Sequence, residues 1–269
     1  MKKKKIFLFL TILFFTITLI ISTFNIIKWL SDNKKISDQT KDIKKITDVV
    51  ETKDSNNTEI IKQEQIDKDN PYWDYIKMNL INVDFNKLKK INPSTKGWIK
   101  VNGTNINYPF VQDNNNEYYL THSFDKSYNS AGWVFLDYRN DLSNLSDKNT
   151  IIYAHGRYDK TMFGSLKNIL TSGWLENSDN YIIKMSTEYE NTLWQIFSVY
   201  KIPTTSDYIQ VNFSSDDEFY ELLNKLISRS NYDFNTTVSK DDRIITLSTC
   251  YDKDNKVVLH AKLIKREKK

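Results

Sequence analysis

Hydrophobic positions fall into three regimes along the chain. From Ile6 to Ile27 they are almost unbroken, twenty-two residues drawn only from Ile, Phe, Leu, Thr, Ser and Asn. About twenty such residues cross a bilayer as a helix whose backbone hydrogen bonds all close internally. Lys2, Lys3, Lys4 and Lys5 precede the run and are expected to remain in the cytoplasm. Residues 1–5 therefore read as a cytoplasmic tail and 6–27 as a transmembrane anchor, with Lys28 and Trp29 suited to the far interface. No small-residue cleavage site follows Ile27, which favours an uncleaved anchor over a signal peptide. The expected topology is single-pass in the cell membrane, with the remainder of the chain outside.

From Ser31 to Asn70 the pattern turns polar, rich in Lys, Asp, Asn, Glu and Thr and without an aromatic residue. Its scattered Ile and Val residues allow a marginal amphipathic helix, and the composition also suits a spacer. Residues 28–70 are thus expected to form a stalk. The third regime, 71–269, is long enough for one core. Tyr72, Tyr75, Ile76, Leu80, Val83 and Leu88 follow a broken helical period that ends before Pro93. After Gly97 the period shortens to that of strands: Trp98–Val101, a turn at Asn102-Gly103, then Ile106–Val111. Further strand-like runs are Gly132–Leu136, Thr150–Tyr153, Tyr181–Met185, Leu193–Tyr200, Arg243–Leu247 and Lys256–Ile264. Many short strands with turn signals between them indicate an all-β barrel or sandwich. One helix interrupts them: Ser215-Asp216-Asp217-Glu218 is a capping box, followed by Phe219, Leu222, Leu223, Leu226 and Ile227 at helical spacing.

Charge narrows the function classes. The net charge of +4 owes much to lysines at the two ends, and the middle of the chain mixes both signs. No clustered basic face indicates nucleic-acid binding, and no zinc-ligand cluster is visible. Cys250 is the only cysteine. On an exported domain it has no disulfide partner in its own chain, and a lone oxidisable thiol calls for an explanation as a reactive group; the alternative is a small buried hydrophobe at a strand end.

A thiol nucleophile needs a base or an electropositive neighbour. Three histidines are available. His155 ends the run Ile151-Ile152-Tyr153-Ala154 where it opens into the loop Gly156-Arg157-Tyr158-Asp159, a common place for a catalytic group. His122 lies in a polar loop, and His260 falls inside the last strand, where a packed role is the simpler reading. Parity puts Thr246, Ser248 and Cys250 on one strand face, which suits a polar groove leading to the thiol. The base precedes the nucleophile by ninety-five residues, opposite to the order in papain-like proteases.

The run Thr246-Leu247-Ser248-Thr249-Cys250 resembles the active-site signature of sortases, the transpeptidases of the Gram-positive cell wall. The likeness covers residues 72–264 and is nearest to class B. It extends through Gly97-Trp98-Ile99-Lys100-Val101-Asn102-Gly103-Thr104-Asn105-Ile106-Asn107-Tyr108-Pro109, Tyr118-Tyr119-Leu120, Phe135-Leu136-Asp137-Tyr138-Arg139-Asn140 and Tyr153-Ala154-His155 followed by Met162-Phe163-Gly164-Ser165-Leu166. The helix 215–229 matches the class B insertion before the cysteine strand. The resemblance implies a mainly β fold with helices: an eight-stranded β-barrel with N-terminal helices and a helix inserted before the cysteine-bearing strand. It implies Cys250 as nucleophile, His155 as general acid/base and no cofactor or metal. The family's third residue is an arginine on the last strand, and here Lys256 stands in its place. Lysine keeps the charge and loses the planar two-pronged donor; Arg157 is the alternative source of the cation. Asn116, Leu120, Ser248 and Thr249 are the expected substrate-binding residues. The implied partners are surface proteins with a C-terminal sorting signal, NPQTN-like or related, cleaved after Thr, and an amine of a peptidoglycan precursor or a pilin. The replaced arginine leaves a catalytically impaired sortase-like surface protein that binds sorting peptides as the alternative. A secreted cysteine endopeptidase is disfavoured by the residue order.

Overall fold

The computed structural model describes residues 2–61, 66–143 and 146–269. Met1 of the expected tail and 62–65 of the expected stalk lie outside the described residues, as do 144–145. Helix α1 (Lys2–Ile46) is continuous over 45 residues, about 68 Å at 1.5 Å per residue. Its large apolar side chains from Ile6 to Leu30 lie almost wholly exposed, the surface a bilayer would cover. Beyond them the helix changes character. Ile36 and Ile43, two turns apart on one face, are both buried in the main core.

The span expected as a stalk therefore carries ordered elements. After α1 come β1 (Val49–Thr52) and β2 (Thr58–Ile60). β1 pairs antiparallel with β3 (Leu80–Val83), and β2 pairs with the far end of the last strand. β3 also breaks the helical reading of Tyr72–Lys90, which resolves into α2 (Tyr72–Tyr75), β3 and α3 (Asn86–Ile91). The reason lies in the partner: β1 supplies a ladder that the local sequence does not reveal, and Leu80, Ile81 and Val83 are buried with Asn82 exposed.

Eight strands close a barrel: β4 (Thr95–Val101), β5 (Asn107–Val111), β6 (Phe135–Leu136), β7 (Asn149–Tyr153), β8 (Ile182–Thr187), β9 (Glu190–Pro203), β10 (Ile244–Cys250) and β11 (Asn255–Lys268). Their order is β10-β7-β6-β5-β4-β8-β9-β11, and pairing of β10 with β11 closes the ring. Closure removes the exposed edge that an open sheet would carry. Each strand-like run read from the sequence overlaps one barrel strand. Gly103 makes the β4–β5 turn at φ +66°, a conformation that favours glycine. Two neighbouring pairs, β5–β6 and β7–β10, are parallel in a largely antiparallel barrel.

Short helix α4 (Ser172–Leu175) precedes β8. Helix α5 (Asp216–Ser228) lies between β9 and β10 in sequence, with the Ser215 hydroxyl accepting from the Glu218 amide at 3.2 Å. The Glu218 carboxylate accepts from Ser214, amide and hydroxyl both, one residue earlier than an ideal capping box. Phe219, Leu222, Leu223 and Leu226 bury against Phe197, Tyr200, Tyr208, Ile244 and Val258, a second core outside the barrel.

Candidate active site

The parallel pairing of β7 with β10 brings the candidate groups together. Ser248 lies beside Tyr153 in the ladder, so the two strands leave the sheet at the same end. Two residues further on come Cys250 and His155. The loop after His155 passes so close to Cys250 that a Cβ on Gly156 would sit 2.0 Å from the Cys250 carbonyl oxygen. Only glycine allows that approach. Cys250 is exposed, and with His155, Gly156, Arg157, Tyr158 and Trp29 it lines a cavity of about 320 Å³.

The imidazole is held from behind. His155 Nε2 lies 2.8 Å from the Leu120 carbonyl oxygen. A carbonyl only accepts, so Nε2 carries the proton and Nδ1 is the basic nitrogen of the neutral ring. Leu120, expected to meet substrate, touches the site through this backbone oxygen. The other two histidines are placed elsewhere: His122 stacks on Tyr118 with ring centroids 3.9 Å apart, and His260 is fully buried.

β11 brings Lys256 to the thiol. Cys250 pairs with Lys256 across the β10–β11 hairpin, and Lys256 Nζ donates to Cys250 Sγ at 3.1 Å. The turn between them is stapled by Asp252, whose Oδ1 accepts from the amides of Asp254 (2.9 Å) and Asn255 (2.8 Å) and from Asn255 Nδ2 (2.9 Å). The Asn255 side chain first, and then the backbone N–H of Asp254, hold the Asp252 carboxyl down at about 2. The turn thus fixes the register that sets Nζ on Sγ.

No arginine occupies that position. Each of the five arginines in the chain is paired with a carboxylate: Arg139 with Asp137, Arg157 with Asp159, Arg229 with Asp207, Arg243 with Glu190 and Arg266 with Glu59. Arg157 also donates to Thr161 Oγ1 at 2.9 Å and to Asn33 of α1. Its guanidinium is committed to its own loop and to the helix.

The expected substrate-binding residues are largely engaged with the protein. Asn116 Nδ2 donates to Asp137 Oδ2 at 2.9 Å while its Oδ1 accepts from the Tyr138 amide at 3.0 Å, which uses both ends of the amide. Thr249 is buried and donates to the Ala154 carbonyl at 2.7 Å, tying the end of β10 to the segment before His155. Ser248 and Tyr208 share a hydrogen bond at 2.9 Å. The hydroxyl-bearing face of β10, expected to line an open groove, is a buried polar seam instead. Thr246 bonds to Asn149 and His260, and Tyr208, from the segment before α5, covers Ser248.

Sequence reasoning passed over the carboxylate that organises this end of the barrel. Asp137 is fully buried and accepts from Arg139 Nε (2.8 Å), Arg139 Nη2 (2.7 Å), Asn116 and the Tyr153 hydroxyl (2.9 Å). Burial alone would raise its pKa, but the Arg139 hydrogen bonds and the other donors outweigh it and hold the carboxyl below its ordinary value. Tyr153, two residues before His155, is thereby anchored. The Asp137-x-Arg139 spacing was the available signal, an acid opening a turn that also carries the guanidinium.

A family model described as Sortase domain matches residues 99–264. Sortase B of Staphylococcus aureus (strain NCTC 8325 / PS 47) is 39% identical over 187 residues, covering 67% of this chain and 75% of that protein. Among solved structures, sortase B from B. anthracis in complex with AAEK1 superposes with a TM-score of 0.67 at 31% identity, covering 89% of this chain and 99% of that one. A sortase B complexed with triglycine superposes with a TM-score of 0.63 at 37% identity, covering 67% of this chain and 85% of that one. With its closed eight-stranded barrel and this breadth of similarity, the chain belongs to the sortase family of cysteine transpeptidases, as a member of class B.

Proposed function

We propose that Cys250 is the nucleophile, His155 the general acid/base and Lys256 the cation of a transpeptidase anchored in the membrane by residues 6–27. The observation that carries this reading is the contact of Lys256 Nζ with Cys250 Sγ at 3.1 Å, at the end of a strand whose parallel neighbour leads into His155. In acyl transfer, His155 takes the thiol proton as Sγ adds to the carbonyl carbon of the threonine in a C-terminal sorting signal. The C–N bond to the following residue breaks as His155 returns that proton to the leaving amine, and a thioester remains. An incoming amine adds to the thioester carbonyl, gives its proton to His155, and Sγ leaves as thiolate. Negative charge collects on the carbonyl oxygen of each tetrahedral adduct, adjacent to Sγ, where an ammonium donor stabilises it.

The donor is a surface protein with an NPQTN-like or related signal, and the acceptor an amine of a peptidoglycan precursor or pilin. The triglycine complex of a related sortase B is in keeping with a peptide amine. Anchoring draws support from the exposed apolar surface of α1 and the four lysines before it. Because Cys250 is the only cysteine, a thiol-directed sulfonate should modify one site and abolish cleavage of a sorting peptide. Cys250→Ala should remove turnover with its melting curve preserved, since an exposed thiol contributes little packing. Turnover by Cys250→Ala at the wild-type rate would eliminate the covalent route.

A further inference from the structure

Trp29 belongs to the membrane helix, and it lines the same cavity as Cys250 and His155. The placement is held by directional contacts along one face of α1. The Ser130 hydroxyl donates to Asp32 Oδ2 at 2.6 Å, Arg157 donates to Asn33 Oδ1, and Lys35 Nζ donates to Ser127 Oγ at 2.6 Å. Gln39 Oε1 accepts from the Phe124 amide at 3.2 Å, and Ile36, between these groups, is fully buried. Lys28 Nζ lies 5.3 Å from the centre of the Tyr128 ring. These residues recur at helical spacing and clasp two loops, 123–130 and 156–159, the second of which carries Gly156 and Arg157 beside the thiol.

The apolar run of α1 ends at Ile27, and Trp29 follows two residues later, about 3 Å along the helix axis. A tryptophan at that point sits at headgroup level when 6–27 spans a bilayer. The cavity it lines is then at the same level. We propose that Trp29, on a helix held to the site through the Asn33–Arg157 contact, forms the membrane-side wall of the active-site cleft, so that Cys250 works at the bilayer surface on an acyl donor presented there. The proposal rests on the anchoring by 6–27 and the role of Cys250 set out above. It gives Arg157 a function other than oxyanion binding: its guanidinium joins α1, through Asn33, to the loop that follows the histidine.

The test uses full-length protein in phosphatidylethanolamine/phosphatidylglycerol vesicles. In Trp29→Cys, a short bifunctional thiol reagent should bridge positions 29 and 250 within one molecule, and in Lys41→Cys, at an exposed position on α1, it should not. A fluorophore on Cys250 of the otherwise unchanged protein should be quenched by nitroxide on lipid headgroups and far less by nitroxide near the acyl-chain ends. Trp29→Ala should raise KM for a vesicle-anchored sorting peptide about fivefold or more, the loss typical of truncating an aromatic anchor, with kcat held and Trp29→Phe restoring KM. A bridge that forms equally from position 41, or none from 29, overturns the proposal, as does a Cys250 label indifferent to headgroup nitroxide. Those results would leave the covalent mechanism intact. Its own failure appears separately, as turnover surviving in Cys250→Ala, and sinks both.

Discussion

At residue scale two cations compete for the thiol, and the hairpin register supports the role proposed for Lys256. Cross-strand pairing sets Nζ on Sγ, whereas Arg157 spends its donors on Asp159, Thr161 and Asn33. Lys256→Ala should therefore lower kcat by roughly 10²–10³-fold, as expected for losing one oxyanion donor. Lys256→Arg should keep or raise activity, because a guanidinium adds a planar pair of donors. Arg157→Ala should cost much less in kcat on a soluble peptide. Steady-state kinetics with a melting curve for each variant checks the ranking, and an essential Arg157 beside a dispensable Lys256 would reverse it. A second single-residue effect concerns His260, which no part of the mechanism uses. Complete burial holds its pKa down, to about 3 from an ordinary 6.5. Thr246 gives its proton to Asn149, so it accepts from His260 Nδ1, and Nε2 accepts from the Tyr200 hydroxyl at 2.8 Å. Protonation would break that chain. Between pH 6.5 and about 3 the unfolded chain binds the extra proton and the folded one does not, so the stability this ring contributes is present above 6.5 and is lost as pH falls through that window. Its share of the slope approaches about 1.4 kcal/mol per pH unit. Denaturant melts of His260→Gln should show a flatter pH profile than wild type; an unchanged slope would place the ring outside the linkage.

At the scale of elements, the site depends on how closely two strand ends approach. Gly156→Ala places a methyl 2.0 Å from a backbone carbonyl, which no side-chain rotation relieves. The loop after His155 must move away from Cys250. A displacement of about 1 Å at a reacting pair can cost about 10²-fold in rate, while overpacking costs about 1–3 kcal/mol in stability. We expect turnover to collapse in a protein that still folds and still reacts with thiol reagents at exposed Cys250. Wild-type kinetics in this variant would mean that the close approach is dispensable. The same elements explain what could be read beforehand. The barrel strands carry their own signal, alternation or a buried run bounded by turns, and the β4–β5 turn and α5 are marked by local chemistry. β1, β2 and β3 carry none: they are three or four residues long, too short for a period to show, and pair with segments distant in the chain, as β2 with β11. The site divides in the same way. Cys250 and His155 stand out by residue type and position at strand ends. The buried partners of Asn116, Ser248 and Thr249 are long-range contacts, and neither parity nor composition says which hydroxyl or amide will be left free for substrate.

On the scale of the whole molecule, one helix joins two environments. Through Leu30 α1 presents mostly apolar side chains outward, and from Asp32 onward it presents acids, amides and two buried isoleucines to the barrel. Nothing in a soluble setting offsets the cost of leaving so many Ile, Leu and Phe side chains in water, about 25 cal/mol for each Å² of apolar surface. Insertion removes that cost, and the lysines at positions 2–5 resist transfer across the membrane. The orientation we propose has the lysines inside and Cys250 outside, with the helical path from Trp29 to Ile46 holding the barrel against the outer surface. A reporter that matures only outside the cell, fused after Lys269, should be active. Protease applied to intact protoplasts should remove the domain and leave a fragment of α1 protected. Replacing Lys2, Lys3, Lys4 and Lys5 by Glu should weaken this preference and shift part of the population to the opposite orientation, seen as protease resistance of the reporter. An inactive reporter in the wild-type chain, with the domain protected in intact protoplasts, would place Cys250 in the cytoplasm and remove the extracellular acyl acceptor from the mechanism.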